Sequence, residues 1–553
     1  MTENIVKIIP LGGMGEIGKN CTVLEYQDQI VVIDAGLMFP SDDMLGIDLV
    51  LPDFTYLMEH RDKILGIVVT HGHEDHIGGL PYLLAQLPVP VYATPLTKGL
   101  IEGKLRSNGV TGKAELLHTM RPDEEVVLGP FRITPFHVNH SIPDSVGFAI
   151  RTPHGLIVHT GDYKIDHTPL EGKTTDLAAL AKLSNEGVVM LLGDSTNAES
   201  QGYTISESHL TDTFHRVFAR ATGRVIVTTF ASLLSRVQLV IETAAQFGRK
   251  VAVAGRSMED NIAIAEKLGY IRFPENARVS LSQIADLPDS HVCILATGSQ
   301  GEPNAALARM AAGRFRHVQI KEGDTVLLSS KAIPGNEIQI HRNVDNLFRR
   351  GANVVYGEQA GVHVSGHAAQ EELKLMLNLM RPLYFVPVHG AYRMLQVHAR
   401  LAYDLGFHPD EVLIADNGRI IELGDQGARL GDSIDLQDVF VDGSLVGDVG
   451  NSILRDRLAL SQDGFVIAKV ALETATGKLT NQPEIISQGF VYVPESGDLL
   501  RSAESAIVDT IRSNGWKDGG AEEISRRIKR RLENLFYLET KRRPVVVPMI
   551  TET

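Results

Sequence analysis

The chain has 553 residues, enough for three or four domains of roughly 150 residues each and far beyond a small disulfide-stapled scaffold. With 43% hydrophobic and 22% charged residues, and no apolar run near the roughly 20 residues that span a bilayer, the composition is that of a soluble globular protein without a transmembrane helix. Its 53 basic and 68 acidic side chains leave a formal charge of −15, which argues against a generic nucleic-acid coat protein but leaves room for nucleic acid held by metals and a local basic groove.

The N-terminus MTENIVKIIPLGG runs directly into a strand-like apolar stretch without a signal-peptide pattern, so a cytoplasmic protein is expected. Cys21 and Cys293 lie far apart in apolar strand-like runs, as buried thiols of a reducing compartment do. Gly13, Gly15 and Gly18 satisfy G-x-G-x-x-G, and Gly13 to Lys19 nearly satisfies a P-loop, with Asn20 where Ser or Thr would hold magnesium. The residues that follow, CTVLEYQDQIVVID, alternate like a hairpin instead of opening a helix, so a glycine turn between antiparallel strands is expected.

Residues 5–160 are a series of short apolar runs, a strand-rich half with one expected helix at GLPYLLAQL, where Pro81 sits harmlessly near the start. From about 205 to 360 the strands RVIVTTFAS, KVAVAGRSM, HVCILATGSQ, DTVLLSSKA and NVVYGEQ alternate with helical stretches, which predicts a parallel α/β sheet. Its strand ends lead into Ser232, Arg256, Ser299 and Ser330, small or basic residues suited to phosphate. Residues 370–425 return to helix, strand, helix, so the α/β unit reads as an insert in the first domain. Residues 430–451 hold five aspartates and no Lys or Arg, the mark of a linker or extended arm. The tail from about 452 reads as a small α/β domain whose stretch AEEISRRIKRRLENLF puts Ile524, Ile528, Leu532 and Leu535 on one helical face. Arg526, Arg527, Lys529, Arg530 and Arg531 surround it, either as a solvated face or as a contact for RNA or a partner.

His71-Gly72-His73-Glu74-Asp75-His76 follows the strand ILGIVVT and precedes the expected helix. Three imidazoles and an aspartate in so short a loop are costly unless something binds there. His71 and His73, two apart on an extended segment, can face one centre while Asp75 and His76, entering the helix, turn toward a second. Further metal-ligating types recur where strands end: His140, Asp162 and His389.

The order and spacing of HGHEDH, His140, Asp162 and His389 resemble the metallo-β-lactamase fold of dinuclear hydrolases, over roughly residues 5–205 and 365–425. With GDSTN at 193–197, HVSGHAAQ at 363–370, PLGGMGEIGKN and LMFPSDDMLGIDLVLPD, nearly the whole chain resembles the bacterial ribonuclease J family of β-CASP nucleases. That resemblance implies an α/β architecture, a metallo-β-lactamase αββα sandwich (1–205 and 363–428) with an inserted β-CASP domain (206–362), an acidic linker (429–451) and a small C-terminal α/β domain (452–553). It assigns His71, His73 and His140 to one metal, Asp75, His76 and His389 to another, and Asp162 to both. His367 becomes the general acid, oriented by Asp194, and Ser232, His363, Val364, Ser365, Gly366 and His367 form a pocket for an RNA phosphate. Asp48 and Asp442 could share a structural calcium. His137, His154, His159 and His167 have no motif reason to bind metal and are read as supporting residues.

The function implied is a metal-dependent ribonuclease of RNA maturation and decay, with 5′-to-3′ exonuclease action preferring a 5′-monophosphate, and endonuclease action. Imidazole-rich sites suit zinc, and the carboxylates also admit manganese. The implied partners are RNA, a second or further copies of the chain in a homodimer or homotetramer, and an RNA-degradation assembly. Another hydrolase on the same metal core would leave the insert unexplained, and a non-catalytic scaffold would tolerate a lost ligand, whereas all seven are present.

Overall fold

A computed structural model describes residues 4–333, 335–474, 476–491, 496–513 and 520–553. The chain divides into two compact units, Met1–Phe39 with Val50–Val439, and Pro40–Leu49 with Phe440–Thr553.

In the first unit an eight-stranded and a six-stranded sheet face each other. Ile5–Gly12 pairs antiparallel with Cys21–Tyr26, which continues into Gln29–Ile33 and then, in parallel, Ile64–Val68. The glycine motif is therefore a turn between antiparallel strands, and Gly13, Gly15 and Gly18 all take the positive φ that such a turn needs. Val6, Ile8, Leu24, Val31 and Val68 of this sheet interdigitate with Phe131, Phe148, Ile157, Met190 and Val386 of the other, and all are fully buried. Helices Leu177–Glu186, Gln370–Met380 and Tyr392–Asp404 cover the outer face of the six-stranded sheet, and Pro95–Ser107 packs on Val91–Ala93 and Leu117–Thr119 of the eight-stranded one, giving αββα layering.

The inserted strands Lys250–Ala254, Val292–Ala296, Val225–Thr228, Thr325–Leu328 and Asn353–Val355 form one sheet in that spatial order, every pair parallel. Four of the five bury every residue or all but one, the pattern of a sheet covered by helices on both faces.

Three findings depart from the sequence reading. The strand-rich half contains a 13-residue helix, Pro95–Ser107, masked in the sequence by Gly99 and Gly103. Those glycines lower helix propensity but allow close packing, because a Cβ at either would lie within 2.9 Å of Ile264 or Leu268 on helix Arg256–Leu268. The acidic segment is not a bare linker: Gly427–Ser433 is the edge strand of the large sheet, and Val439–Asp442 pairs with Leu445–Val446. Aspartates suit an exposed edge, where charge discourages pairing with another chain. On the terminal helix Gly520–Thr540 the buried fourth position is Phe536, one residue beyond Leu535.

The second unit carries its own core. Phe465–Leu472 pairs with Glu484–Gln488 and in parallel with Val545–Glu552, and helices Gly497–Ser513 and Gly520–Thr540 pack Ile507, Ile528, Leu532 and Phe536 against Val466 and Val470. Among the described residues no helix is long and apolar enough to cross a membrane. Both cysteines are free and buried.

Candidate active site

Strand ends converge where the two facing sheets and the insert meet. Ile64–Val68 leads into the HGHEDH loop, Phe131–His137 into His140, Gly155–His159 into Asp162, Val188–Asp194 ends on Asp194, and Tyr384–Val388 delivers His389. Helix Glu74–Ile77 begins inside the loop, so His71 and His73 stay extended while Asp75 and His76 turn with the helix. Gly36 lets this loop close: a Cβ there would lie 1.6 Å from the Asp75 carbonyl oxygen.

Asp162 Oδ2 is the centre of the arrangement. It lies 3.3 Å from His76 Nε2, 3.5 Å from His71 Nε2, 3.7 Å from His140 Nε2 and 3.9 Å from His367 Nε2. On one side His73 Nδ1 is 3.1 Å from both His71 Nε2 and His140 Nε2. On the other, Asp75 Oδ2 lies 3.3 Å from His389 Nε2 and 3.6 Å from His76 Nε2, and His389 Nδ1 donates to Asp162 Oδ1 at 2.8 Å. The donor atoms fall into a group from His71, His73, His140 and Asp162 and a group from Asp75, His76, Asp162 and His389, all within 4.8 Å in each.

This donor set fits a cation. His71 Nδ1–H is directed at the Thr70 hydroxyl and His140 Nδ1–H at the Gly366 carbonyl, which leaves both Nε2 lone pairs facing inward. Nitrogens on a tetrahedral cation with bonds of about 2.0–2.1 Å stand roughly 3.3 Å apart, close to the spacing here. His389 Nε2 is buried without a hydrogen-bond partner, a costly position unless a cation takes its lone pair.

The charge balance differs between the two sides. Burial, then the neighbouring imidazoles, holds His71 and His140 well below the ordinary histidine value, and burial brings His73 down to about 4, so these rings stay neutral. Burial opposes protonation of His76 and His389 as well, yet the carboxylates led by Asp162 outweigh it. His76 is raised well above its ordinary value and His389 to about 10. Burial likewise opposes ionisation of Asp75 and Asp162, but His76 and His389 hold both carboxyls below their usual range. This half of the cluster attracts positive charge of any kind.

Asp194 Oδ2 accepts from His367 Nδ1 at 2.7 Å. Burial disfavours charge on His367, but Asp194 and Asp162 prevail and raise its pKa, so it holds a proton at the edge of the cluster. The His367 backbone N–H donates to Ser365 Oγ at 3.1 Å, which tightens the loop. Gly366 is required by close approach, since a Cβ there would sit 2.8 Å from His140 Cε1. Val364 is buried and His363 Nδ1 faces Arg236 at 2.9 Å. Ser232 lies on the loop before helix Leu234–Gln246 and makes no hydrogen bond to residues 363–367 among the described residues.

Asp48 and Asp442 come to one turn, where Gly443 N–H donates to Asp48 Oδ2 at 2.8 Å. Asp442 is paired with Arg457 at 2.6 Å, so a guanidinium already supplies the positive charge that a calcium would bring. Of the four supporting histidines, His159 accepts from Gly161 N–H beside Asp162, His137 meets the Lys173 carbonyl and His154 pairs with Asp425. His167 enters none of the three candidate ligand groups.

Sequence reasoning missed Asp34. Its carboxylate accepts from His76 Nδ1 at 2.7 Å and from the Thr70 N–H and hydroxyl at 2.8 Å each, with its backbone held at φ 61°. The available signal was an acid ending the apolar run QIVVID directly before Ala-Gly.

Comparison with known proteins agrees with this geometry. Family descriptions match in four blocks: Beta-lactamase superfamily domain over 31–188, Ribonuclease J, beta-CASP domain over 222–347, Zn-dependent metallo-hydrolase RNA specificity domain over 357–412, and Ribonuclease J C-terminal domain over 452–553. Ribonuclease J 1 of Streptococcus pyogenes is 42% identical over 551 residues, covering 100% of this chain and 98% of its own. Ribonuclease J2 of Bacillus subtilis is 43% identical over 553 residues, covering 100% and 99%. The chain belongs to the ribonuclease J family. As a member of that family it is a metal-dependent ribonuclease, with a metallo-β-lactamase domain, an inserted β-CASP domain and the family's C-terminal domain. A solved structure from Enterococcus faecalis V583, described as a protein of unknown function, shares the fold at TM-score 0.55 and 15% identity, covering 76% of this chain and 100% of that one.

Proposed function

We propose that this ribonuclease J removes nucleotides from the 5′ end of RNA in the 5′-to-3′ direction, prefers a 5′-monophosphate, and also cuts internally. The reading includes two divalent cations, zinc or manganese, one held by His71, His73 and His140, the other by Asp75, His76 and His389, with Asp162 serving both. The observation that carries it is Asp162 Oδ2, which has ring nitrogens from both halves of the cluster within 3.7 Å. Bound divalent cations supply Lewis acidity toward the scissile phosphate and the attacking water.

The chain's own groups do the rest. Asp34, Thr70 and the Gly366 carbonyl fix ring orientations, so the ligand atoms need little reorganisation. His367 carries a proton on the face turned toward Asp162 and delivers it to the departing 3′-oxygen, with Asp194 steadying the imidazolium before transfer. Residues 363–367 hold the terminal phosphate of a 5′-monophosphorylated RNA, and the fixed distance from that loop to the cluster selects the first linkage. Internal cleavage uses the same centre without the terminal contact. The enzyme works in the cytoplasm, as a homodimer or homotetramer supported by the C-terminal domain, and serves RNA maturation and decay within a degradation assembly.

The test compares Ser365→Ala with the unaltered enzyme on one RNA labelled at either end and carrying a 5′-monophosphate, a 5′-triphosphate or a closed circle. Exonucleolytic release from the monophosphate should fall about tenfold or more, in line with losing a support for charge-assisted contacts, while cutting of the circle changes little. Equal losses on linear and circular RNA would sink the pocket assignment.

A further inference from the structure

Arg236, on helix Leu234–Gln246, is 1% exposed, and its charge is used by neither the ligand cluster nor the His367–Asp194 pair. Its guanidinium joins three segments. Nη2 donates to Glu207 Oε1 at 2.8 Å, and Nη1 donates to the Ser329 carbonyl at 3.1 Å and to His363 Nδ1 at 2.9 Å. Nη2 also lies 3.5 Å from the Val364 carbonyl, and Ser329 Oγ donates to the Val362 carbonyl at 2.6 Å. The backbone on both sides of His363 is thus gripped from beneath by the end of the strand Thr325–Leu328 and by this one side chain.

A guanidinium only donates, so Nδ1 of His363 must accept and the ring proton sits on Nε2. His363 Nε2 makes no hydrogen bond to any described residue. Burial, then the positive charges of Arg236, Lys331 and Lys164, keeps His363 far below its ordinary value, so the ring is a neutral donor near pH 7.

We propose that Arg236 is a positioning residue for 5′-end recognition. It presents His363 as a single-tautomer hydrogen-bond donor toward a terminal phosphate and fixes the 363–364 backbone, so selection of phosphorylated ends depends on a guanidinium lying behind the pocket. This rests on residues 363–367 being the phosphate pocket.

The test uses the full-length protein with its metal content left intact and a short 2′-O-methyl RNA with phosphorothioate linkages that resist cleavage, labelled at its 3′ end and bearing a 5′-monophosphate or a 5′-hydroxyl, binding being read by fluorescence anisotropy. Arg236→Gln should lose about tenfold or more in preference for the phosphorylated end, the scale of a misplaced charge-assisted contact, with hydroxyl-end affinity held within about twofold. The double variant Arg236→Gln/His363→Ala should lose no more of the preference than His363→Ala alone, a non-additivity that a merely structural role would not produce. Arg236→Lys keeps the charge without the fork, so it should also lose the preference, and it decides the matter if the Gln variant does not fold. Unchanged preference in a folded Arg236 variant, or equal losses on both RNAs, overturns the proposal. His363→Ala separates the two claims: if it leaves the preference intact, the pocket assignment itself fails. If it removes the preference while Arg236→Gln does not, only the role of Arg236 fails.

Discussion

That the HGHEDH loop would meet His140, Asp162 and His389 was legible residue by residue, because three imidazoles and two acids in six residues are costly without something to bind. Asp34 was not, since a lone acid closing an apolar strand resembles many strand ends, and only the fold brings its carboxylate to His76 Nδ1. His76→Ala tests the ligand reading, because it removes a nitrogen while leaving the other half of the cluster in place. Metal content by mass spectrometry should fall from two ions toward one per chain, with the circular-dichroism spectrum retained and hydrolysis lost. A second residue-scale expectation concerns acid. His398 donates from Nδ1 to Ser195 Oγ at 3.0 Å and packs against Phe385, and burial pushes its pKa down to about 3 from an ordinary 6.5. The unfolded chain therefore binds a proton that the folded chain refuses once pH drops below 6.5, so stability from this group is complete above that value and is lost progressively toward pH 3. Between about pH 7.5 and about pH 5.5 it costs on the order of 1 kcal/mol. His398→Gln should shrink the change in unfolding free energy between those conditions, read from urea titrations, by that amount. The same shift in both proteins would show that His398 is not the group responsible.

At the scale of elements, apolar runs alternating with helical stretches were enough to find the five parallel strands of the insert, and residue-by-residue alternation after the glycines was enough to find the antiparallel turn at Gly13–Gly18. What they could not reveal was how separate elements are tied together. Helix Gln370–Met380 follows the His367 loop, and its fully buried Glu372 accepts from the backbone N–H of Ile165 at 2.7 Å, Thr204 at 2.6 Å and Ala369 at 2.9 Å. A glutamate in the first helical turn looks like an ordinary dipole-matching residue in a sequence. Glu372→Ala should destabilise the first unit by about 3–5 kcal/mol, since three buried donors lose a charged acceptor, whereas Glu372→Gln should cost less. Equal urea midpoints for the alanine variant and the parent would refute this. Because Thr204 Oγ1 also donates to the His367 carbonyl at 2.8 Å, the alanine variant should lower kcat even where it remains folded. The helix Pro95–Ser107 escaped sequence reading for a related reason: its glycines are there to meet Ile264 and Leu268, a partner that propensity does not see.

For the whole molecule, the resemblance spans nearly the entire chain, and the separate core around Ile507, Ile528 and Phe536 gives residues 452–553 the means to fold as a module. A chain ending at about residue 451 is expected to keep its metal content, drop to a lower oligomeric state and cut long RNA less well. Light scattering and metal analysis on that chain check it. A full-sized oligomer with full activity would place the interface in the catalytic region.

The six-stranded sheet has one further consequence, which concerns time. Its edge strand Tyr384–Val388 pairs in parallel with Val188–Asp194, yet roughly 200 residues of insert and helix are made between the two. At about 5–20 residues per second, about 10–40 s pass on the ribosome between Asp194 and His389. Throughout that interval the growing polypeptide holds an unfinished centre beside the message that encodes it. With His389 following the last strand of this sheet to be made, a ligand there would leave the cluster one donor short until that strand is in place.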